Sequence, residues 1–244
     1  LAPHEGGWPV QAPSALRFSE HGALPSAMDE AAIDGVVASF AAAAGHAVAA
    51  GFRYVELHLG HGYLVHQFLS PLTNHRSDRW GGAFEHRVRL ARAITRAVRA
   101  ALPEGVPLAV RLSMTDWIDG GWQVDDAVRL AALLREDGAD LLVCSSGAIV
   151  PGSAPPGGAA VQVPFAARVR AEAGLAAGAV GGITEAAQAQ TIVAEGTADL
   201  VFLARAMLRD PYWALHAAEA LQVEASWPVA YARAVARRSA RREG

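Results

Sequence analysis

Hydrophobic positions along the chain alternate between two periods. Over about Asp29 to Ala50, Ile33, Val36, Val37, Phe40, Ala44, Ala47 and Val48 recur at the spacing of one helical face, and Gly51 supplies a stop. The stretch YVELHLG at 54–60 switches to a period of two, with Val55, Leu57 and Leu59 on one side and Glu56 and His58 on the other. A helix through Val88, Ala91, Ile94 and Val98 closes at Pro103 and leads to the strand PLAVRLS at 107–113. The order continues with a helix over about 125–136 before Gly138, a strand DLLVCSSG at 140–147 and a helix over about 164–173 before Gly174. The last units are the strand GAVGGI at 178–183, a helix capped by Thr184 and ended by Gly196, the strand DLVFLAR at 199–205, and terminal helices. Repeated strand, helix, strand units predict an α/β fold with a parallel sheet covered by helices.

A doubly wound open sheet and a (β/α)8 barrel both carry that order, and the polar positions separate them. Arg111 and Ser113 share a face opposite Leu108, Val110 and Leu112, and His58 stands at the end of its strand. Charged groups facing inward at a strand's C-terminal end belong at a barrel mouth. No G-x-G-x-x-G follows the first strand, which counts against a dinucleotide-binding open sheet. The expectation is a TIM-barrel type with about five strands present, whereas a closed barrel has eight over roughly 250 residues. The other three would precede Leu1. Residues 1–244 are then a single (β/α) barrel domain that lacks its N-terminal part, with 222–244 as a C-terminal tail.

Composition narrows the chemistry. A formal net charge of −3 offers no broad basic field for nucleic acid or anionic lipid, so a small molecule is the expected partner. All 21 residues counted as lysine or arginine are arginine, which removes Schiff-base chemistry on lysine and with it lysine aldolases and pyridoxal phosphate enzymes. Cys144 is the sole cysteine and cannot form an internal disulfide. No long apolar run suggests a membrane span or export segment, and the expected location is cytoplasmic.

The stretch YVELHLGHGYLVHQFLSPLTNHRSDRWGG at 54–82 crowds titratable side chains where a strand ends. Glu56, His58 and His61 would suit zinc, but no second cluster of ligands appears in the sequence, and no metal is expected. His66, His75 and His86 are expected to be structural. Longer segments carry a family likeness: GGWPVQAPSA, AGFRYVELHLGHGYLVHQFLSPLTNHRSDRWGG, VRLSMTDWIDGGW, AVGGIT and ARAMLRDPYW span the chain from about Gly7 to Arg233. On them the protein resembles the old yellow enzyme family of FMN-dependent ene-reductases. The specific part is H-x-x-H-G-Y-L followed by F-L-S-P-x-x-N and R-x-D-x-x-G-G. The H-x-x-H pair and the tail WPVAYARA resemble the thermophilic-like subgroup.

That resemblance implies FMN and NAD(P)H as cofactors and an enone as substrate, with hydride passing from NAD(P)H through the flavin to the enone's β-carbon. His58 and His61 would hydrogen-bond the substrate carbonyl oxygen, where two imidazole N–H donors stabilise the negative charge that develops. Tyr63 would give a proton to the α-carbon as a general acid, or would merely pack under its loop. Arg111 would lie against flavin N1 and the C2 carbonyl and favour the reduced anion, with structural pairing to Glu56 as the competing account. Gly181, Gly182 and Arg205 would hold the phosphate. The family has glycine before that arginine where this chain has Ala204, whose methyl would stand near a phosphate oxygen. Arg233 would reach into a neighbouring subunit's site, which implies a homo-oligomer.

Asn74, Arg76, Asp78, Gly81 and Gly82 are expected to shape their loop, Trp117 and Trp122 to wall the site or anchor a loop, and Cys144 to pack. The family's first three strands supply the rest of the flavin pocket, so the chain alone is expected to hold FMN weakly or not at all and to reduce alkenes poorly. The alternatives are a dienoyl-CoA reductase-like flavoenzyme and a non-catalytic barrel remnant acting as a binding or scaffold protein.

Overall fold

A computed structural model describes residues 3–158, 160–231 and 233. Two short strands, β1 (Gln11–Ala12) and β2 (Ser26–Ala27), pair in parallel ahead of the main sheet. The main sheet holds β3 (Val55–Leu59), β4 (Leu108–Ser113), β5 (Leu141–Ser145), β6 (Ala176–Val180) and β7 (Leu200–Phe202), all parallel and hydrogen-bonded in chain order. The crossovers carry α1 (Glu30–Ala49), α2 (Leu64–Leu69), α3 (Phe84–Arg87), α4 (Arg89–Ala101), α5 (Val124–Glu136), α6 (Val163–Arg168) and α7 (Ala186–Ala194). A π-helical turn, Val169–Ala173, continues α6, and α8 (Arg205–Arg209) and α9 (Trp213–Ala220) follow the last strand.

Strand order bears out the barrel that the polar positions predict over the doubly wound sheet. A doubly wound sheet reverses its order at a switch point, and this one runs without reversal, as a segment of a (β/α) barrel does. The alternation in PLAVRLS becomes two separate cores. Leu108, Val110 and Leu112 join the large cluster beneath the helices, while Ala109 joins Leu141, Val143 and Val180 on the opposite, inner face. Cys144 falls in the outer cluster, where burial pushes its thiol up to about 12, so it packs.

Three details depart from expectation. β6 starts at Ala176 and stops at Val180, because Gly181 and Gly182 adopt φ of +99° and +68° and leave the strand. Thr184 does not cap α7: Glu185 holds that position, and the Thr184 hydroxyl donates to the Glu185 carboxylate at 3.2 Å. By length and composition alone α1 could cross a membrane, against the expectation that no apolar run is long enough to suggest a span. It packs on α4, burying Ile33 and Ala44, and Asp29 accepts from the Ala32 N–H at 2.8 Å to cap it.

The outer strands are less covered than the centre. Beside β3, Phe52 and Tyr54 are exposed, and so is Leu200 at the start of β7. The β5 side chains from Leu141 to Ser145 are all buried.

Candidate active site

β3 delivers His58 beside Arg111 of β4, its register partner. The chain then turns sharply through Gly60, His61 and Gly62. A Cβ on Gly62 would meet the Ala148 carbonyl oxygen at 2.1 Å, and one on Gly60 would meet the Ser113 nitrogen at 2.9 Å, so neither position admits a side chain without displacing backbone. His61 itself takes a left-handed φ of +57°. Its backbone N–H donates to Ser113 Oγ at 3.0 Å, and its Nε2 lies 2.6 Å from Ser145 Oγ. The His58 and His61 ring centroids are 4.9 Å apart, and the Tyr63 ring meets His58 edge-on at 5.3 Å.

Both imidazoles are held neutral. Burial pushes His61 down to about 4, helped by His58, the Arg111 cation and His66. Burial, then Arg111 and His66, lowers His58 in the same direction. Two neutral rings side by side can each donate one N–H to the same acceptor.

A buried network fixes this turn from below. The Gly62 N–H donates to His66 Nδ1 at 2.9 Å, so His66 carries its proton on Nε2 and donates to Asp116 Oδ1 at 2.9 Å. Asp116 Oδ2 also accepts from the Ser70 hydroxyl at 2.6 Å and the Trp122 N–H at 2.7 Å. His66 is structural, as expected, and so is His86, whose Nδ1 meets the Gly81 carbonyl at 3.1 Å. Asn74 clamps its loop by donating to the Phe68 and Trp80 carbonyls at 2.7 and 2.8 Å. Trp122 is fully buried and stacked on Phe84, and Trp117 rests against Phe165, so both anchor loops.

Arg111 does not pair with Glu56. Glu56 accepts from the Tyr54 hydroxyl at 3.1 Å instead, and the Arg111 Nε is buried without a partner. A buried, unsatisfied guanidinium N–H costs free energy and marks a place where an acceptor belongs. Arg111 and His61 line one cavity of about 530 Å³ together with Gly181, Gly182, Ala204 and Arg205. A Cβ on Gly181 would lie 2.2 Å from Gln162 Nε2, so the cavity wall there is bare backbone. Ala204 has φ of −114°, a conformation that does not call for glycine.

Tyr63 precedes α2 and is 63% exposed, with His58 as its neighbour. Arg233 lies in an exposed turn after Val229–Tyr231. Sequence reading missed Ser145, Ser146 and Gln162 in the same cavity, where the Ser146 hydroxyl donates to Gln162 Oε1 at 2.8 Å and Gln162 Nε2 to the Val180 carbonyl at 3.0 Å. The serines end the apolar run LLVCSSG, the same polar strand-end signal that exposed Arg111. Gln162 lies in a loop and carried no such signal.

Comparison with known proteins follows the same outline. A model of the NADH:flavin oxidoreductase / NADH oxidase family matches residues 4–224. The chain is 44% identical over 226 residues to the NADPH dehydrogenase of Bacillus subtilis (strain 168), covering 92% of this chain and 65% of that protein. It therefore spans just under two thirds of that relative's length. Among solved structures, a 2-naphthoyl-CoA reductase in complex with 2-naphthoyl-CoA superposes with a TM-score of 0.80 at 26% identity, over 87% of this chain and 33% of that one. An old yellow enzyme homologue from Zymomonas mobilis gives 0.72 at 25% identity, over 91% of this chain and 64% of its own.

Proposed function

The chain belongs to the NADH:flavin oxidoreductase / NADH oxidase family, and from that premise we propose that it carries the substrate-oxygen and phosphate halves of an FMN-dependent ene-reductase site. The observation that carries the reading is a single cavity lined by His61, Arg111, Gly181, Gly182 and Arg205, residues drawn from four separate segments of the chain. FMN fits what these residues lack. The unpartnered Arg111 Nε asks for an acceptor such as the pyrimidine edge of a flavin, and Gly181, Gly182 and Arg205 offer backbone N–H groups and a cation for a phosphate. When bound, the flavin supplies hydride, taken from NAD(P)H, for the β-carbon of an activated alkene.

The chain's own residues do the rest. His58 and His61 donate hydrogen bonds to the substrate carbonyl oxygen, and their neutral state lets them stabilise its growing charge without giving up a full proton. Tyr63, edge-on to His58, is the proton donor to the α-carbon. Arg111 holds positive charge at the cavity wall, where it favours an anionic ring. Arg233, exposed and beyond the last helix, reaches a neighbouring copy's site in a homo-oligomer, and residues 1–244 act as one barrel unit. The similarity to a 2-naphthoyl-CoA reductase supports a second substrate class, since a thioester carbonyl would present its oxygen to the same histidine pair.

The test is ligand binding. FMN and riboflavin are titrated into the protein by fluorescence quenching, and FMN should bind at least tenfold tighter, an advantage that Arg205→Ala removes. Phenolic ligands should then give a long-wavelength charge-transfer band with the flavin. Losing both histidine donors in His58→Ala/His61→Ala should weaken that complex by about 2–4 kcal/mol. Equal affinity for FMN and riboflavin, or unchanged phenol affinity in the double variant, would sink the assignment.

A further inference from the structure

Ser145 is buried at the C-terminal end of β5, and its hydroxyl has one partner among the described residues, His61 Nε2 at 2.6 Å. The direction of that bond follows from the inventory of donors. A serine hydroxyl carries one proton, and among the described residues its acceptor within reach is the ring nitrogen. Were Nε2 to carry the proton, the hydroxyl hydrogen would have no acceptor among the described residues and would have to turn to the cavity that Ser145 lines, giving up its hydrogen bond within the protein. Ser113, the other hydroxyl on this turn, is already committed: it accepts from the His61 backbone N–H and donates to the Gly147 carbonyl at 3.2 Å. The His61 ring is neutral, so it has a single N–H to place.

We propose that Ser145 is a positioning residue that donates to His61 Nε2 and thereby locks His61 in the Nδ1–H form, aiming its one ring donor away from β5 as the hydrogen bond offered to a substrate or phenolate oxygen. Its use for substrate rests on the function proposed above, while the choice of tautomer does not. The turn enforces the pairing: His61 is pinned at a left-handed φ between two glycines whose Cβ positions are occupied by backbone, so the ring cannot retreat from Ser145 by shifting the chain. Five residues on, His66 is set the opposite way. It accepts from the Gly62 N–H on Nδ1 and donates from Nε2 to Asp116. Two histidines in one hexapeptide are thus held in opposite tautomers by different neighbours, and the second serves as an internal standard for the first.

The experiment is ¹⁵N-histidine NMR of the whole chain at pH 7, with His61 and His66 assigned from the spectra of His61→Asn and His66→Asn. His61 should show an unprotonated, pyridine-like Nε2 and a protonated Nδ1, and His66 the reverse. Ser145→Ala should release His61 toward the Nε2–H form that histidine favours in water and leave His66 unchanged. Ser145→Thr keeps the hydroxyl and should restore the Nδ1–H form, a rescue that a merely space-filling serine would not require. In flavin-loaded protein, Ser145→Ala should weaken phenol binding roughly three- to tenfold, the worth of one misdirected hydrogen bond. A wild-type His61 protonated on Nε2 overturns the proposal, as does a Ser145→Ala variant whose His61 keeps its tautomer. Should the tautomer behave as stated while phenol affinity ignores Ser145→Ala, the positioning role stands and the oxygen-binding role of His61 falls.

Discussion

Helices α4 and α9 belong to the same layer, yet they are held in opposite ways. α4 carries four arginines in thirteen residues and still buries Leu90, Ala91, Ile94, Thr95 and Val98. α9, WALHAAEA, is richer in apolar residues and buries none. The cause is the neighbourhood. α4 has α1 on one side and α5 on the other, and its arginines lie along a single outer stripe, with Arg92 and Arg96 both reaching Asp137 at 2.6 and 3.0 Å. α9 follows the last strand of the sheet and touches α7. Burial in a layered fold is conferred by flanking elements, and a helix at the sheet's edge stays exposed whatever its composition.

The sharpest test of that contrast lies in the covered half. Asp116→Ala removes the acceptor for His66 Nε2–H, the Ser70 hydroxyl and the Trp122 N–H at once, and should cost about 3–5 kcal/mol in urea unfolding. An effect under about 1 kcal/mol would mean that the loop from 60 to 82 is no better fixed than the edge. Ile94→Ala on α4 creates a cavity in a fully buried site and should cost about 2–5 kcal/mol by the same measurement.

A third test uses pH. His61 titrates near 4 in the folded chain against an ordinary value of 6.5, so the unfolded chain takes up the proton first as the pH falls. The stability tied to this group is complete above about pH 6.5 and is lost progressively as the pH drops toward 4. His58 acts in the same direction. Urea midpoints measured across that range should fall, and His61→Asn should flatten the slope. A slope unchanged by that substitution would assign the loss to other groups. The smallest effect belongs to the exposed half: Leu208 of α8 is 82% exposed, and Leu208→Ala should shift stability by less than about 0.5 kcal/mol. A larger loss would reveal that something covers this edge in solution.

Much of the site was legible in the chain because barrel geometry puts function where strands end. His58 and Arg111 each stand near the end of a strand-like apolar run, so the change from apolar to polar marks the mouth; Ser145 ends the apolar run LLVC in the same way but was missed. Other features were not legible. The Glu56–Arg111 pair looked reasonable from side-chain alternation, but Tyr54 takes Glu56, and no one-dimensional pattern ranks two candidate partners for one carboxylate. Gln162 reaches the cavity from a loop whose path depends on the turn around Ser146 and Val180. Thr184 had the chemistry of a cap, but the helix began one residue later.

The sequence by itself determined the order and type of the five main strands and the longer helices between them, the two faces of the strands that alternate, and the family, because periodicity and local motifs are properties of neighbouring residues. The tertiary structure alone decided that α9 lies bare while α4 is covered, and that Arg111 keeps an unpartnered N–H. It also decided the opposite proton positions of His61 and His66. Those depend on which donor or acceptor arrives from a distant segment, Ser145 for one ring and Asp116 for the other, and such meetings are set by the packing of the whole sheet rather than by any local run of residues.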